Sequence, residues 1–168
     1  SSGNWQHPGP EDQYMVDASS LQFAYSTIGD DWAYFGCFPN SETGLTAGQA
    51  QGEWFTLADS APPVLGQTIR ITGYGTTSPP VNHTWNSAQK THSGSYETLS
   101  NTSIGYTVDT TGGNSGSAVL NETSGEAIGI HTNGGCGGSG GQNWGCAIHN
   151  SGLQYALANP QGVCIPSM

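Results

Sequence analysis

At 168 residues the chain has the length of one domain, or of two small ones sharing a cleft. Hydrophobic residues make up 34% and charged residues 8%, the formal net charge is -10 with a pI near 4.4, and Lys90 and Arg70 are the only lysine and arginine. Such an acidic field repels phosphate backbones and anionic headgroups, which argues against nucleic acid and membrane surfaces as partners, and no apolar run approaches the ~20 residues that span a bilayer.

Residues 1–12 are turn formers without periodicity and read as a surface segment. Residues 13–17 and 21–25 are short strand candidates. Trp32, Ala33, Tyr34, Phe35 and Cys37 form an apolar run just after Asp30 and Asp31, the pattern of a strand buried on both faces. Residues 39–52 read as a loop, 54–57 as a strand and 59–63 as a connector between two halves. Ile69, Ile71 and Gly73 alternate with Arg70 and Thr72, which marks a half-buried strand. Further strands are expected near 84–91, 104–109, 117–120, 127–132 and 145–149, and residues 153–157 form the one expected helix. Many short strands, glycine-rich turns and one late helix indicate an all-β sandwich or barrel. No internal repeat is visible, and the glycine-rich patch at 134–141 is too short to link domains.

The four cysteines are Cys37, Cys136, Cys146 and Cys164, an even number that suits an exported protein with disulfides. Four cysteines allow three pairings. A bridge between Cys136 and Cys146 would staple the glycine loop between them, and one between Cys37 and Cys164 would tie the C-terminal tail to the first half. Zinc is the rival reading, but no Cys-x-x-Cys or histidine cluster supports it. Sequons at Asn82, Asn101 and Asn121 also fit a secreted, extracellular protein.

Between two β-branched stretches lies Thr110-Thr111-Gly112-Gly113-Asn114-Ser115-Gly116-Ser117. Glycines on either side of a serine permit a sharp bend that exposes its hydroxyl, and they clear the way for backbone amides to converge on one point. Gly-Asn-Ser-Gly is also ordinary turn composition, so the tetrad alone does not establish a site.

Its surroundings add to it. Residues 109–117, followed by Ala127-Ile128-Gly129-Ile130-His131, resemble the nucleophile region of chymotrypsin-fold serine peptidases, and most of all the bacterial glutamyl-endopeptidase branch. The likeness continues upstream through Gly29-Asp30-Asp31-Trp32-Ala33-Tyr34-Phe35 and Thr68-Ile69-Arg70-Ile71-Thr72-Gly73-Tyr74-Gly75, in the family's order. It implies two packed antiparallel β-barrels of the chymotrypsin type, with the active cleft between them and a short C-terminal helix. Residues 1–62 would be the remainder of an incomplete N-terminal barrel, and 63–168 the C-terminal barrel.

A serine hydroxyl is a weak nucleophile until a base takes its proton, and the usual base is an imidazole oriented by a buried carboxylate. The resemblance makes Ser115 the nucleophile and Asp31 the orienting carboxylate, with Asp30 as a solvated turn residue. The amides of Gly113 and Ser115 would form the oxyanion hole, Gly113 using glycine's freedom to turn its N–H inward. The family's histidine precedes the aspartate by several tens of residues in a Thr-Ala-Ala-His-Cys type motif, and nothing of that kind is present. His7 lies among prolines, 24 residues before Asp31, and reads as a surface residue, while His83 and His92 sit among polar residues. Two explanations follow: the catalytic histidine comes from a companion segment N-terminal to this chain, or the chain is an inactive descendant. The first is favoured, because a barrel without its opening strands is left with open edges and an exposed core.

In the glutamyl branch the residues matching Thr110 and His131 receive the substrate's carboxylate, and the backbone at Thr132 to Gly134 lines the same pocket. A hydroxyl and an imidazole N–H suit a carboxylate, since both donate without a permanent charge. The chain's own negative charge opposes an acidic substrate. The expectation is a secreted serine endopeptidase acting on peptides or proteins through an acyl-enzyme on Ser115, with no metal or organic cofactor implied. The alternative is a catalytically inactive scaffold or binding protein of the same fold.

Overall fold

The apolar and polar alternation over Thr68–Gly73 becomes a strand whose buried positions are Ile69, Ile71 and Gly73. The computed structural model describes residues 7–135 and 141–165. Its strands are β1 (Gln22–Tyr25), β2 (Asp31–Tyr34), β3 (Thr68–Gly73), β4 (Lys90–Ser100), β5 (Ser103–Tyr106), β6 (Ala118–Asn121), β7 (Ala127–Asn133) and β8 (Asn143–Ala147). Two α-helices accompany them, α1 (Ala47–Gln51) and α2 (Ser151–Ala158).

The last six strands close a barrel in the order β3-β4-β5-β8-β7-β6, every pair antiparallel, and β6 returns to β3. Closure removes sheet edges, so every strand has a neighbour on each side. Inside lie Ile69, Ile71, Tyr96, Ile104, Tyr106, Val119, Ile128 and Cys146. Barrel packing of this kind is intolerant of added volume. A Cβ on Gly129 of β7 would overlap Ile104 Cδ1 and the Cys146 carbonyl.

β1 and β2 form a separate two-stranded sheet. Trp32 is buried and packs with Leu153 and Ala156 of α2, where Gly152 gives its indole room. Asn150 starts α2 by accepting from the amides of Gly152 and Leu153, an N-cap worth about 1 kcal/mol. The expectation that residues 32–35 are buried on both faces needs correction: Ala33 is exposed and Phe35 is 46% exposed. Only the face toward α2 is covered. Phe23 (65%) and Tyr25 (84%) on β1 are exposed as well.

Three other expectations change. Residues 47–51 are a short helix rather than loop, nucleated by a capping box between Thr46 and Gln49 and ended by Gly52 in the left-handed region. Residues 54–57 are not a strand; Leu57 makes one isolated bridge to Ala127, while Trp54 and Phe55 stay exposed. The strand expected at 84–91 starts at Lys90, because Asn82 caps a 3-10 turn over His83–Trp85 and Lys90 Nζ donates to the carbonyls of Trp85 and Ala88, each at 2.9 Å.

The cysteines are also a correction. Cys37, Cys146 and Cys164 are free thiols, so neither expected bridge is formed; Cys136 lies outside the described residues. Cys146 is fully buried on β8, between Ser103 and Ile130, and its thiol donates to the Gly29 carbonyl at 3.3 Å. Cys164 Sγ lies beside Gly36, where an added Cβ would overlap it. The other cation, Arg70, forms a two-point ion pair with Glu122 through Nε and Nη2. Among the described residues no helix is long and apolar enough to cross a membrane, and no cluster of His, Cys, Asp and Glu has the makeup of a metal site.

Candidate active site

The loop from β5 to β6 carries Ser115. Gly113 (φ 93°) and Gly116 (φ 89°) are both in the left-handed region, which other L-residues enter only at a cost, and between them Asn114-Ser115 makes the bend. Asn114 holds the bend from inside. It is buried, its Oδ1 accepts from the Gly75 amide (3.2 Å) and its Nδ2 donates to the Thr111 carbonyl (3.1 Å). A Cβ at Gly73 or Gly75 would overlap this side chain, so the Gly-Tyr-Gly end of β3 is shaped to receive it.

Other bonds fix the loop from outside. Thr76 donates its amide to the Gly112 carbonyl at 2.7 Å, and Thr111 Oγ1 donates to the Thr76 carbonyl at 2.7 Å. On the β7 side the Gly116 amide donates to the His131 carbonyl (2.8 Å), and the His131 amide to the Ser117 carbonyl (2.9 Å). Ser115 itself is exposed, its hydroxyl donating to the Thr132 carbonyl at 3.3 Å. The amides of Gly113 and Ser115 donate to no protein acceptor among the described residues. Such amides can meet an oxygen that develops negative charge.

Ser115 opens onto a cleft of about 440 Å³ lined in part by Phe23, Tyr25, Asp31, His131 and Thr132. Asp31 begins β2 opposite Tyr25. Its neighbour Asp30 is engaged elsewhere. The Asp30 carboxylate accepts from Ser26 Oγ (2.6 Å) and Asn150 Nδ2 (3.1 Å), bonds that hold its pKa below the usual carboxylate range. Asp30 thus closes the β1–β2 turn and anchors it to α2, while Asp31 borders the cleft.

His131 is 3% exposed, with Nδ1 2.7 Å from the hydroxyl of Tyr106. Burial pushes its imidazole pKa down, and the Trp144 carbonyl works in the opposite direction. Among the described histidines it alone lines the cleft. His92 accepts the Asp109 amide at 2.8 Å, His149 accepts the Ala61 amide at 3.2 Å, and His7 and His83 are exposed.

Ser115, Asp31, His131 and Thr132 therefore meet at one cleft, whereas Thr110 borders a separate hollow with His92, Asp109 and Thr111. Thr110 Oγ1 accepts from Asn143 Nδ2 at 2.9 Å. Thr132 lies at an irregularity in the β7–β8 ladder, and a Cβ on Gly134 would approach only Asn143 Oδ1, at 3.9 Å. Sequence reasoning missed Tyr106 and Asn143, which lie outside any motif, and passed over Asn114 as a packing residue. The pair Gly73 and Gly75, spaced to clear one side of a strand end, is a signal that could have pointed to a close approach.

A family model described as Trypsin-like peptidase domain matches residues 16–130, which takes in Asp31 and Ser115. Among solved structures the chain is similar to a Glu endopeptidase in complex with MPD, at 24% identity and a TM-score of 0.61 over 87% of this chain and 62% of that one. It is similar to the thermostable serine protease AL20 from an extremophilic microorganism (20% identity, TM-score 0.59, 84% of this chain, 65% of that one). The scabies mite inactivated protease paralogue S-I1 also matches (15% identity, TM-score 0.58, 86% of this chain, 66% of that one). At these identities the likeness is one of fold. The chain thus spans less than two thirds of the length of each of these three structures. No curated protein matches it.

Proposed function

Since this chain belongs to the trypsin-like peptidase domain family, we propose that it is the nucleophile-bearing part of a secreted serine endopeptidase. Ser115 Oγ attacks the scissile carbonyl and an imidazole takes the hydroxyl proton. The resulting oxyanion is received by the amides of Gly113 and Ser115. The protonated imidazole then gives its proton to the departing amine, and water hydrolyses the acyl-enzyme by the same route. Asp31 holds that imidazole in its working tautomer. The observation that carries the reading is that Ser115 and Asp31, far apart in sequence, border one cleft.

The imidazole belongs to a companion segment N-terminal to this chain. Support comes from the exposed apolar side chains on and beside β1, Leu21, Phe23 and Tyr25, which border the same cleft. Contiguous exposed apolar side chains mark a surface that a protein partner can cover. The primary pocket is built on His131 and Thr132, which line the cleft beside Ser115, and prefers glutamate before the scissile bond; Thr110 borders the neighbouring hollow. Burial lowers the His131 pKa, so the cleft presents a neutral ring on this side. Secretion is supported by the exposed sequon asparagines Asn82 and Asn101.

A fluorophosphonate probe tests the chemistry. Material carrying the companion segment should gain one adduct, mapped to Ser115, and lose it on Ser115→Ala; no adduct in that material would overturn the reading. Paired peptides differing only in Glu or Leu before the scissile bond test the specificity, and equal cleavage removes it. One observation favours a second reading, an inactive scaffold: the histidine that lines the cleft has its Nδ1 engaged by Tyr106. Failure to label with the companion present selects that scaffold.

A further inference from the structure

The strip that leads from β5 into the nucleophile loop lies close along β4. The Thr107 amide donates to the Ser95 carbonyl at 3.1 Å, and a Cβ on Gly94 would come within 3.1 Å of the Val108 nitrogen. At Asp109 a side chain takes over from the backbone: its amide donates to His92 Nδ1 at 2.8 Å. A backbone amide only donates, so Nδ1 is the acceptor and the neutral ring carries its proton on Nε2. Asp109 Oδ2 stands 3.6 Å from the same nitrogen, outside hydrogen-bond range. The two side chains are 49% and 84% exposed, so solvent protons reach both. They border a hollow of about 320 Å³ in which Lys90, on the same strand as His92, is the other charged group. Its ammonium is held by the carbonyls of Trp85 and Ala88. On β3 the residue paired with His92 is apolar Ile71, and the adjacent Arg70 is paired with Glu122.

Protonation removes that acceptor. An imidazolium has a hydrogen on Nδ1, which cannot receive the Asp109 amide but suits the Asp109 carboxylate beside it. The strip thus has two ways to bond one ring, through its amide when the ring is neutral and through its carboxylate when the ring is charged. Two residues on, the Thr111 carbonyl accepts from the Asn114 amide and from Asn114 Nδ2, each at 3.1 Å, and Thr111 Oγ1 donates to the Thr76 carbonyl at 2.7 Å. A change at Asp109 is therefore passed directly to the bend that carries Ser115. We infer that His92 is a positioning residue for Ser115 that works only while uncharged: it braces the entry to the nucleophile loop, and the brace is released when the ring takes up a proton. The inference rests on the reading of Ser115 as a peptidase nucleophile.

The test has two arms, both on companion-containing material. In the first, NMR of isotope-labelled protein follows the His92 ring and the Asp109 amide from about pH 8 to about pH 5, the range over which histidines ordinarily change charge. The neutral ring should have a bare Nδ1, and the Asp109 amide should shift in step with the ring. A proton on Nδ1 of the neutral ring, or an amide that stays put while the ring titrates, overturns the inference. The second arm measures the rate constant for fluorophosphonate labelling of Ser115. His92→Asn puts an oxygen where Nδ1 stands and keeps an acceptor at every pH, whereas His92→Leu has none. Near pH 8 the asparagine variant should label within about twofold of the unaltered protein and the leucine variant about three- to tenfold more slowly, the worth of one hydrogen bond. Toward pH 5 the asparagine variant should overtake the unaltered protein by a similar factor, since both lose the catalytic imidazole but only the unaltered protein also loses the brace. A ratio that is flat with pH overturns the inference, as does equal slowing of both variants throughout, the mark of a merely structural His92. Should the leucine variant fail to fold, the pH dependence of the asparagine ratio decides alone. No labelling of the unaltered protein at any pH refutes the peptidase reading, and with it the service of His92 to Ser115, while the first arm still reports the contact.

Discussion

The Gly116 amide and the His131 carbonyl are hydrogen-bonded at 2.8 Å, so the residue after Ser115 is tied to the strand that borders the same cleft. Ser115 therefore sits on a bend held from both sides while its own side chain carries little structure.

Ser115→Ala should accordingly leave stability within about 0.5 kcal/mol, because it removes one 3.3 Å bond at an exposed position. Thermal melts of the two proteins should overlay, while fluorophosphonate labelling disappears. A large drop in melting temperature would show that the hydroxyl is part of the fold.

Gly113→Ala separates backbone conformation from space. Its new methyl would meet nothing closer than 3.5 Å, but φ is 93°. The expected strain is about 1–2 kcal/mol. If the amide relaxes away from the cleft, kcat falls by about 10²–10³, as for other lost oxyanion donors. Melting and steady-state kinetics on one preparation read both effects, and a rate within threefold of the parent would remove Gly113 from the oxyanion site.

The pH dependence of stability should carry the mark of His131. Burial depresses its folded pKa below the ordinary imidazole value of 6.5, so the unfolded chain takes up a proton first as pH falls. Its contribution is complete above about pH 6.5 and declines from there toward the folded pKa, at most about 1.4 kcal/mol per pH unit. Asp17 and Asp30, both shifted downward by hydrogen bonds led by Ser19 and Ser26, give a separate loss below their ordinary value of 3.8. Urea melts from pH 8 to 5 should slope for the parent and be flatter for His131→Gln; identical slopes would contradict a buried neutral ring.

Cysteine reactivity should be selective. Burial pushes the Cys146 thiol up to about 11, and no part of it reaches solvent. Since the thiolate is the reactive form, Cys146 should resist iodoacetamide at pH 8 while Cys37 and Cys164, both partly exposed, react. Peptide mapping after timed alkylation checks this, and Cys146 reacting at the rate of the others would mean the barrel opens readily.

The closed barrel was legible where one face of a strand is apolar, as in Ile69 and Ile71, and where glycines bracket a polar residue, as around Ser115. It was illegible in β4, whose Lys-Thr-His-Ser-Gly-Ser start has no period of two; only Tyr96 in that strand is fully buried, so pairing rather than burial defines it. The cysteine count misled because parity says nothing about where side chains point: Cys146 faces the core. Asn143 escaped notice because its partners, Val108, Thr110 and Gly135 among them, come from separate segments, which no local pattern encodes. That Ser26 and Asn150 occupy the Asp30 carboxylate has no local signature and needed coordinates.

Both long-chain cations are already committed, Arg70 to Glu122 and Lys90 to two loop carbonyls. With a formal charge of -10, little on the surface offsets the negative potential met by an approaching acidic peptide. Added electrolyte shortens the reach of that repulsion, the Debye length being about 30 Å at 0.01 M and about 8 Å at 0.15 M. Capture of glutamate-rich substrates should therefore speed up as sodium chloride is raised, the opposite of the behaviour expected when unlike charges attract.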